Sequence, residues 1–127
     1  MALPPSMHCM EPGKTLSQLR KGVLEYCVLS LLRDGPRYGT ELLGELANTG
    51  ALATSQGTVY PLLTRLRREE LVTTDWSESP SGPPRRYYAL TDKGRTALAD
   101  FAVVWAEFTQ AVDRLITPDQ HADRRAP

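Results

Sequence analysis

Apolar residues recur at spacings of three and four in four stretches of the chain, and alternate with polar ones in a fifth. The first period gathers side chains along one side of a helix, the second on one face of a strand. From about Ser17 to Arg33, Leu19, Val23, Cys27 and Leu31, together with Leu24, Val28 and Leu32, predict a helix with a wide apolar face. It stops at Asp34-Gly35-Pro36. A shorter helix is predicted from Tyr38 or Gly39 to Leu46, burying Leu42, Leu43 and Leu46 and exposing Glu41 and Glu45. A third opens after Ser55, whose hydroxyl suits an N-cap, and carries Val59, Leu62, Leu63 and Leu66 on one side. Pro61 lies inside it, removing one donor and crowding the carbonyl four residues back, so a kink or a widened first turn is expected there.

Leu71 to Glu78 and Arg85 to Leu90 are rich in β-branched and aromatic residues, and the SPSGPP between them is too proline-rich to continue either strand. A hairpin is predicted. Alternation puts Arg86, Tyr88 and Leu90 on one face and Arg85, Tyr87 and Ala89 on the other. With Leu90 inward, Tyr88 lies over the core and Arg85 and Arg86 stand at the mouth of the loop. Thr91 then caps a last helix with Asp92 in its first turn, and Leu98, Phe101, Trp105, Phe108, Val112 and Leu115 follow as a heptad seam.

Helix, hairpin and new helix in this order are the ground plan of a winged helix. The fold class expected is mainly α with a small β-hairpin: a winged helix-turn-helix followed by a C-terminal dimerisation helix. The polar side of the third helix carries Gly57, Pro61, Thr64 and Arg68, flanked by Thr58, Tyr60, Arg65 and Arg67. Small residues allow close approach to a groove, hydroxyls bond phosphate or base edges, and arginines neutralise phosphate. The candidate DNA-binding residues are therefore Gln56, Thr58, Tyr60, Thr64, Arg65, Arg68, Arg85 and Arg86. The plainer alternative for Arg85 and Arg86 is an ordinary solvated charge; against it, no acid stands closer to them along the loop than Glu78. Glu41 and Glu45 would be poor neighbours for phosphate, which leaves the third helix to enter the groove.

GTVYPLLTRLRREELV, a following tryptophan and GPPRRYYALTDKGR resemble the signature of the PadR family of transcriptional regulators, and GPRYGTELL at Gly35 to Leu43 is similar to the family's second helix. The likeness runs from about Gly22 to about Ile116. Val59 and Arg86 depart from it, standing where leucine and lysine are commoner. What the resemblance implies is a cytoplasmic, DNA-binding, homodimeric repressor, with a short C-terminal part at this length. It also places Trp105 where some short members have a tryptophan beside a ligand cavity between subunits. Two facing indoles can sandwich a planar aromatic or cationic effector. Trp105 is thus a candidate effector-binding residue, with plain core packing among Phe101 and Phe108 as the alternative.

The seam supports dimerisation independently, because a domain this small leaves such a stripe little to bury against except a partner helix. The alternative is that it folds back on the first helix of its own chain. The expected organisation is a loose arm at 1–15, a winged helix-turn-helix at 16–91, a dimerisation helix at 92–116 and a loose tail at 117–127.

Fifteen basic and fifteen acidic residues cancel, which alone argues against a DNA partner, but the arginines cluster in the two elements that would touch one. Such a reading head on a neutral body predicts salt-sensitive affinity and a palindromic operator engaged by both halves of a dimer. Cys9 and Cys27 indicate neither a disulfide framework nor a zinc site, and His8 beside Cys9 makes no metal site by itself. Cys27 is expected in the core. No phosphate-cradling glycine motif or matched nucleophile and base is present, so no enzyme and no cofactor is expected. No secretory leader or membrane-spanning run is seen. A winged helix used only for protein contacts is the remaining alternative.

Overall fold

The computed structural model describes residues 12–79 and 82–118. The elements in order are α1 (Pro12–Leu31), β1 (Arg37–Tyr38), α2 (Gly39–Asn48), a single 3₁₀ turn (Gly50–Leu52), α3 (Gln56–Arg68), β2 (Val72–Ser79), β3 (Gly82–Leu90) and α4 (Asp92–Ile116). His8, Cys9 and most of the two expected arms lie outside the described residues. α1 begins at Pro12, earlier than the expected Ser17 and within the span assigned to the first arm. Proline suits a first helical turn, where its missing N–H has no intrahelical partner to lose.

α1 ends in the turn expected at Asp34-Gly35-Pro36, and Arg37 reaches back to donate from Nε to the Leu31 carbonyl at 2.8 Å. A cation on the last carbonyls satisfies acceptors that a helix end leaves open. The same arginine opens β1, whose two residues are too few for any sequence period. β1 pairs antiparallel with β3 (Arg37 opposite Tyr88, Tyr38 opposite Tyr87), and the sheet order is β1-β3-β2. α2 follows at once, its Glu41 carboxylate accepting from the Tyr38 N–H at 2.9 Å.

The core lies where α1, α2, α3 and the inner face of the sheet meet. Leu29 and Leu32 of and just after α1, Leu42 and Leu46 of α2, Leu63 and Leu66 of α3 and Val72 of β2 are almost wholly buried, with Tyr88 over them. Leu43 and Leu90 are only partly buried at its margin. Leu29, absent from the predicted stripe, is buried while Leu19 is exposed. The apolar face of α1 therefore divides along its length: the C-terminal half closes the core and the N-terminal half stays open. Cys27 sits at that division, partly buried rather than in the core, and burial pushes its thiol above the usual range.

β2 has the expected length, shifted by one residue, and β3 is longer than expected. β3 starts at Gly82 and takes in Pro83 and Pro84, whose fixed φ suits extended backbone at a strand end. Ser77 opposes Arg85 while Ser79 opposes Gly82, so β3 carries one extra residue at a bulge.

Candidate nucleic-acid interface

α3 is anchored by Val59, Leu63 and Leu66, which point into the core. That fixes its outer side as Gly57, Pro61, Thr64 and Arg68, all exposed. The helix runs unbroken from Gln56 to Arg68 through Pro61, without the break that a proline here could cause. The residue four before Pro61 is Gly57, whose exposed carbonyl can bond water in place of the missing N–H. Ser55 occupies the N-cap position, but its side chain makes no capping hydrogen bond and lies 3.5 Å from the Thr58 hydroxyl instead.

The C-terminus of α3 is held tightly. Leu71 N–H donates to the Leu66 carbonyl at 2.9 Å and Glu70 N–H to the Arg67 carbonyl at 3.0 Å, the two bonds of a Schellman turn. The residue at its left-handed position is Glu70, at φ 63°. Thr91 Oγ1 donates to the Glu70 carbonyl at 2.7 Å and accepts from Gly94 N–H at 3.0 Å, so one hydroxyl joins the end of α3 to the start of α4. Gly94 has to be glycine at this crossing. A Cβ there would overlap the Leu71 carbonyl oxygen and lie 2.7 Å from Leu90 Cδ1.

The predicted DNA-facing residues do not all share one surface. Gln56, Thr58, Thr64 and Arg68 are exposed on or beside the outer side of α3. Thr64 also donates to the Tyr60 carbonyl at 3.1 Å, which leaves its oxygen lone pairs outward. Tyr60 is partly buried, and its ring packs so closely on Gly39 that any side chain there would strike it. It joins α3 to the start of α2 and lines a cleft with Thr40, Arg85 and Arg86. Arg65 lies beside Thr58 and Arg68 but differs from them in being paired. Its guanidinium contacts Glu25 of α1 at 2.9 Å and Glu69 at 3.8 Å, so its charge is already matched on the α1 flank.

On the hairpin, Arg85 and Arg86 diverge to opposite faces as alternation predicts. Arg85 lies over Tyr38, 5.5 Å from the ring centroid, and Arg86 over Trp76 at 4.9 Å. Neither is within ion-pair distance of a carboxylate among the described residues. Glu41 and Glu45 are occupied at Tyr38 N–H (2.9 Å) and at Arg37 (3.6 Å).

This geometry is a winged helix with its basic, hydroxyl-bearing helix beside an arginine-bearing hairpin. The sequence profile of the transcriptional regulator PadR-like family matches residues 28–100, more than half of the chain. The chain belongs to the PadR-like family. Its fold is also that of solved relatives. A PadR-like transcription factor from Bacteroides fragilis is 41% identical, covering 80% of this chain and 98% of that one at a TM-score of 0.67. A PadR family transcriptional regulator from Eggerthella lenta is 35% identical, with coverage of 82% and 90% and a TM-score of 0.74. A PadR-like transcriptional regulator from Bacillus cereus is 38% identical, with coverage of 79% and 97% and a TM-score of 0.71. PadR-family proteins are DNA-binding transcription regulators rather than enzymes. No helix among the described residues is long and apolar enough to cross a membrane.

In this PadR-family chain the predicted seam of α4 divides in two. Leu98 is buried in the core of its own chain, and Phe101 stacks on Tyr26 of α1 with ring centroids 3.9 Å apart and planes within 3°. Burial, with Glu25 close by, raises the Tyr26 phenol above its usual range. Beyond that point Trp105, Phe108 and Leu115 are exposed and Val112 partly so. Val103, Val104 and Ile116, which the heptad reading omits, are exposed as well. Trp105 and Phe108 line a groove of about 660 Å³ with Leu19, Val23 and Cys27 from the open half of α1.

Proposed function

We propose that this chain is a homodimeric, sequence-specific transcriptional repressor that binds a palindromic operator and is released by a small planar effector. The observation that carries the reading is the outer side of α3, with Thr58, Thr64 and Arg68 exposed beside a hairpin whose Arg85 and Arg86 have no carboxylate partner among the described residues. In this reading α3 lies in the major groove, Thr58 and Thr64 meet base edges, and Arg68, Arg85 and Arg86 meet phosphate or the adjacent minor groove. Gln56 stands at the helix start, where backbone N–H groups also favour phosphate. Tyr60 contributes through its hydroxyl at the cleft below the wing, and Arg65 braces α3 against α1 rather than touching the duplex.

Dimerisation is assigned to the exposed part of α4 and the open half of α1, each protomer laying its Trp105 and Phe108 over the other's Leu16 and Leu19. An apolar surface of this extent is unfavourable in water and calls for a cover. The effector would enter between subunits beside Trp105, by stacking. Release from the operator follows if the effector moves α4, and with it the Thr91 junction that fixes the end of α3. The test is a gel shift with a palindromic duplex at physiological salt, with and without a planar aromatic compound. A specific shift that the compound reverses is the expected result. A protein used only for protein contacts gives no specific shift.

A further inference from the structure

Trp76 has no part in the residues assigned so far, yet it is 60% exposed on the hairpin. It stands directly opposite Arg86 in the strand register, and the Arg86 guanidinium lies 4.9 Å from the centre of its ring. Val72, Thr74 and Trp76 follow one another along one face of β2, opposite Leu90, Tyr88 and Arg86 of β3. That face covers the core at Val72 and Tyr88 and runs past its edge at Trp76 and Arg86. Arg86 is itself partly buried, and its Nε has lost contact with solvent without gaining a hydrogen-bond partner. Arg65 shows the other outcome in the same chain, a guanidinium satisfied by Glu25 and Glu69.

A guanidinium is a planar fork of donors that stays charged, and it stacks well on an aromatic face. An arginine free in solvent surrenders its rotamer freedom when it binds, whereas one already laid on a rigid indole has surrendered much of it beforehand. We propose that Trp76 is a positioning residue of the duplex-binding surface, its indole holding the Arg86 fork outward from the hairpin toward phosphate or minor-groove oxygens. This rests on the DNA-binding reading above. The arrangement accounts for two otherwise costly features together: a large indole left in water, and an arginine with no acid to meet it.

The experiment uses the full chain and a duplex enriched by the wild-type protein from a random pool. Trp76→Ala lowers affinity roughly tenfold for a dimer with two wings, from the usual strength of a cation–π contact. It also lowers the salt slope in step with Arg86→Ala, by up to about one per wing. The double variant binds no more weakly than Arg86→Ala alone, and Trp76→Phe, which keeps an aromatic face, recovers most of the loss. Additive losses in the double variant, or a loss with unchanged salt slope, overturn the proposal by showing that Trp76 acts without Arg86. A drop in melting temperature with unaltered affinity overturns it too, marking Trp76 as structural. Failure of the wild-type chain to enrich any duplex instead removes the DNA-binding reading itself, a result distinct from any of these.

Discussion

Replacing Phe108 by alanine isolates the role assigned to α4, because this ring stands outside the buried core, its aromatic neighbour being Trp105 at 6.3 Å between centroids. Phe108 is 55% exposed, and an aromatic side chain of about 200 Å² then has ~110 Å² left to cover. At about 25 cal/mol per Å² this is ~2.8 kcal/mol for each copy, and a two-fold interface counts it twice. Alanine still covers part of that area, so about 4 kcal/mol is the working figure, roughly a thousandfold in the dimer dissociation constant. Sedimentation velocity over a dilution series reads the shift directly. Far-UV circular dichroism at high concentration checks that the helices persist, as they should, since Phe108 is not part of the buried core. The affinity for a palindromic duplex falls alongside the dimer. A midpoint of dissociation that moves by less than threefold refutes the assignment of this surface to the partner protomer.

Three further substitutions address the junction of α3 with its neighbours. Glu70→Gly relieves a left-handed backbone at φ 63°, less the added freedom of glycine in the unfolded chain, for a gain of about 0.5–1 kcal/mol; a raised melting temperature confirms it and an unchanged or lower one contradicts it. Gly94→Ala drives a methyl into the Leu71 carbonyl and Leu90, costs about 2–3 kcal/mol by overpacking, and lowers the denaturation midpoint; a neutral effect would mean that the start of α4 is loosely seated. Arg65→Ala removes a partly exposed bridge to Glu25, loses at most about 1 kcal/mol of stability and leaves the salt slope of DNA binding unchanged; a slope reduced by one would return Arg65 to the duplex.

The helices and hairpin were legible because their signals are periodic and local. Val59, Leu63 and Leu66 are spaced to share one side of α3, and the structure buries all three. β1 was not legible: two residues have no period, and only pairing with Tyr87 and Tyr88 makes them a strand. Pro83 and Pro84 read as loop because proline lacks a donor, yet a bulge at Ser77 and Ser79 lets them extend β3. Within the candidate site, exposure of Thr58, Thr64 and Arg68 follows from helical geometry once the buried side is known. What the arginines do depends on neighbours distant in sequence. Arg65 and Arg68 look alike along the chain, but Glu25, forty residues before Arg65, claims only the first. Arg86 and Trp76 meet through the hairpin register, and Gly94 matters because α4 crosses Leu71 there. Such contacts between elements carry no periodic signature.

If the outer side of α3 and the arginines of the hairpin face a duplex, DNA selected by the purified protein from a random pool shows it on sequencing. The expected product is an inverted repeat whose half-sites lie one helical turn, about 34–36 Å, apart or a multiple of it, with altered base preference for Thr64→Val and uniformly weaker recovery for Arg86→Ala. Enrichment of no sequence at all, or of one that neither substitution affects, would contradict it.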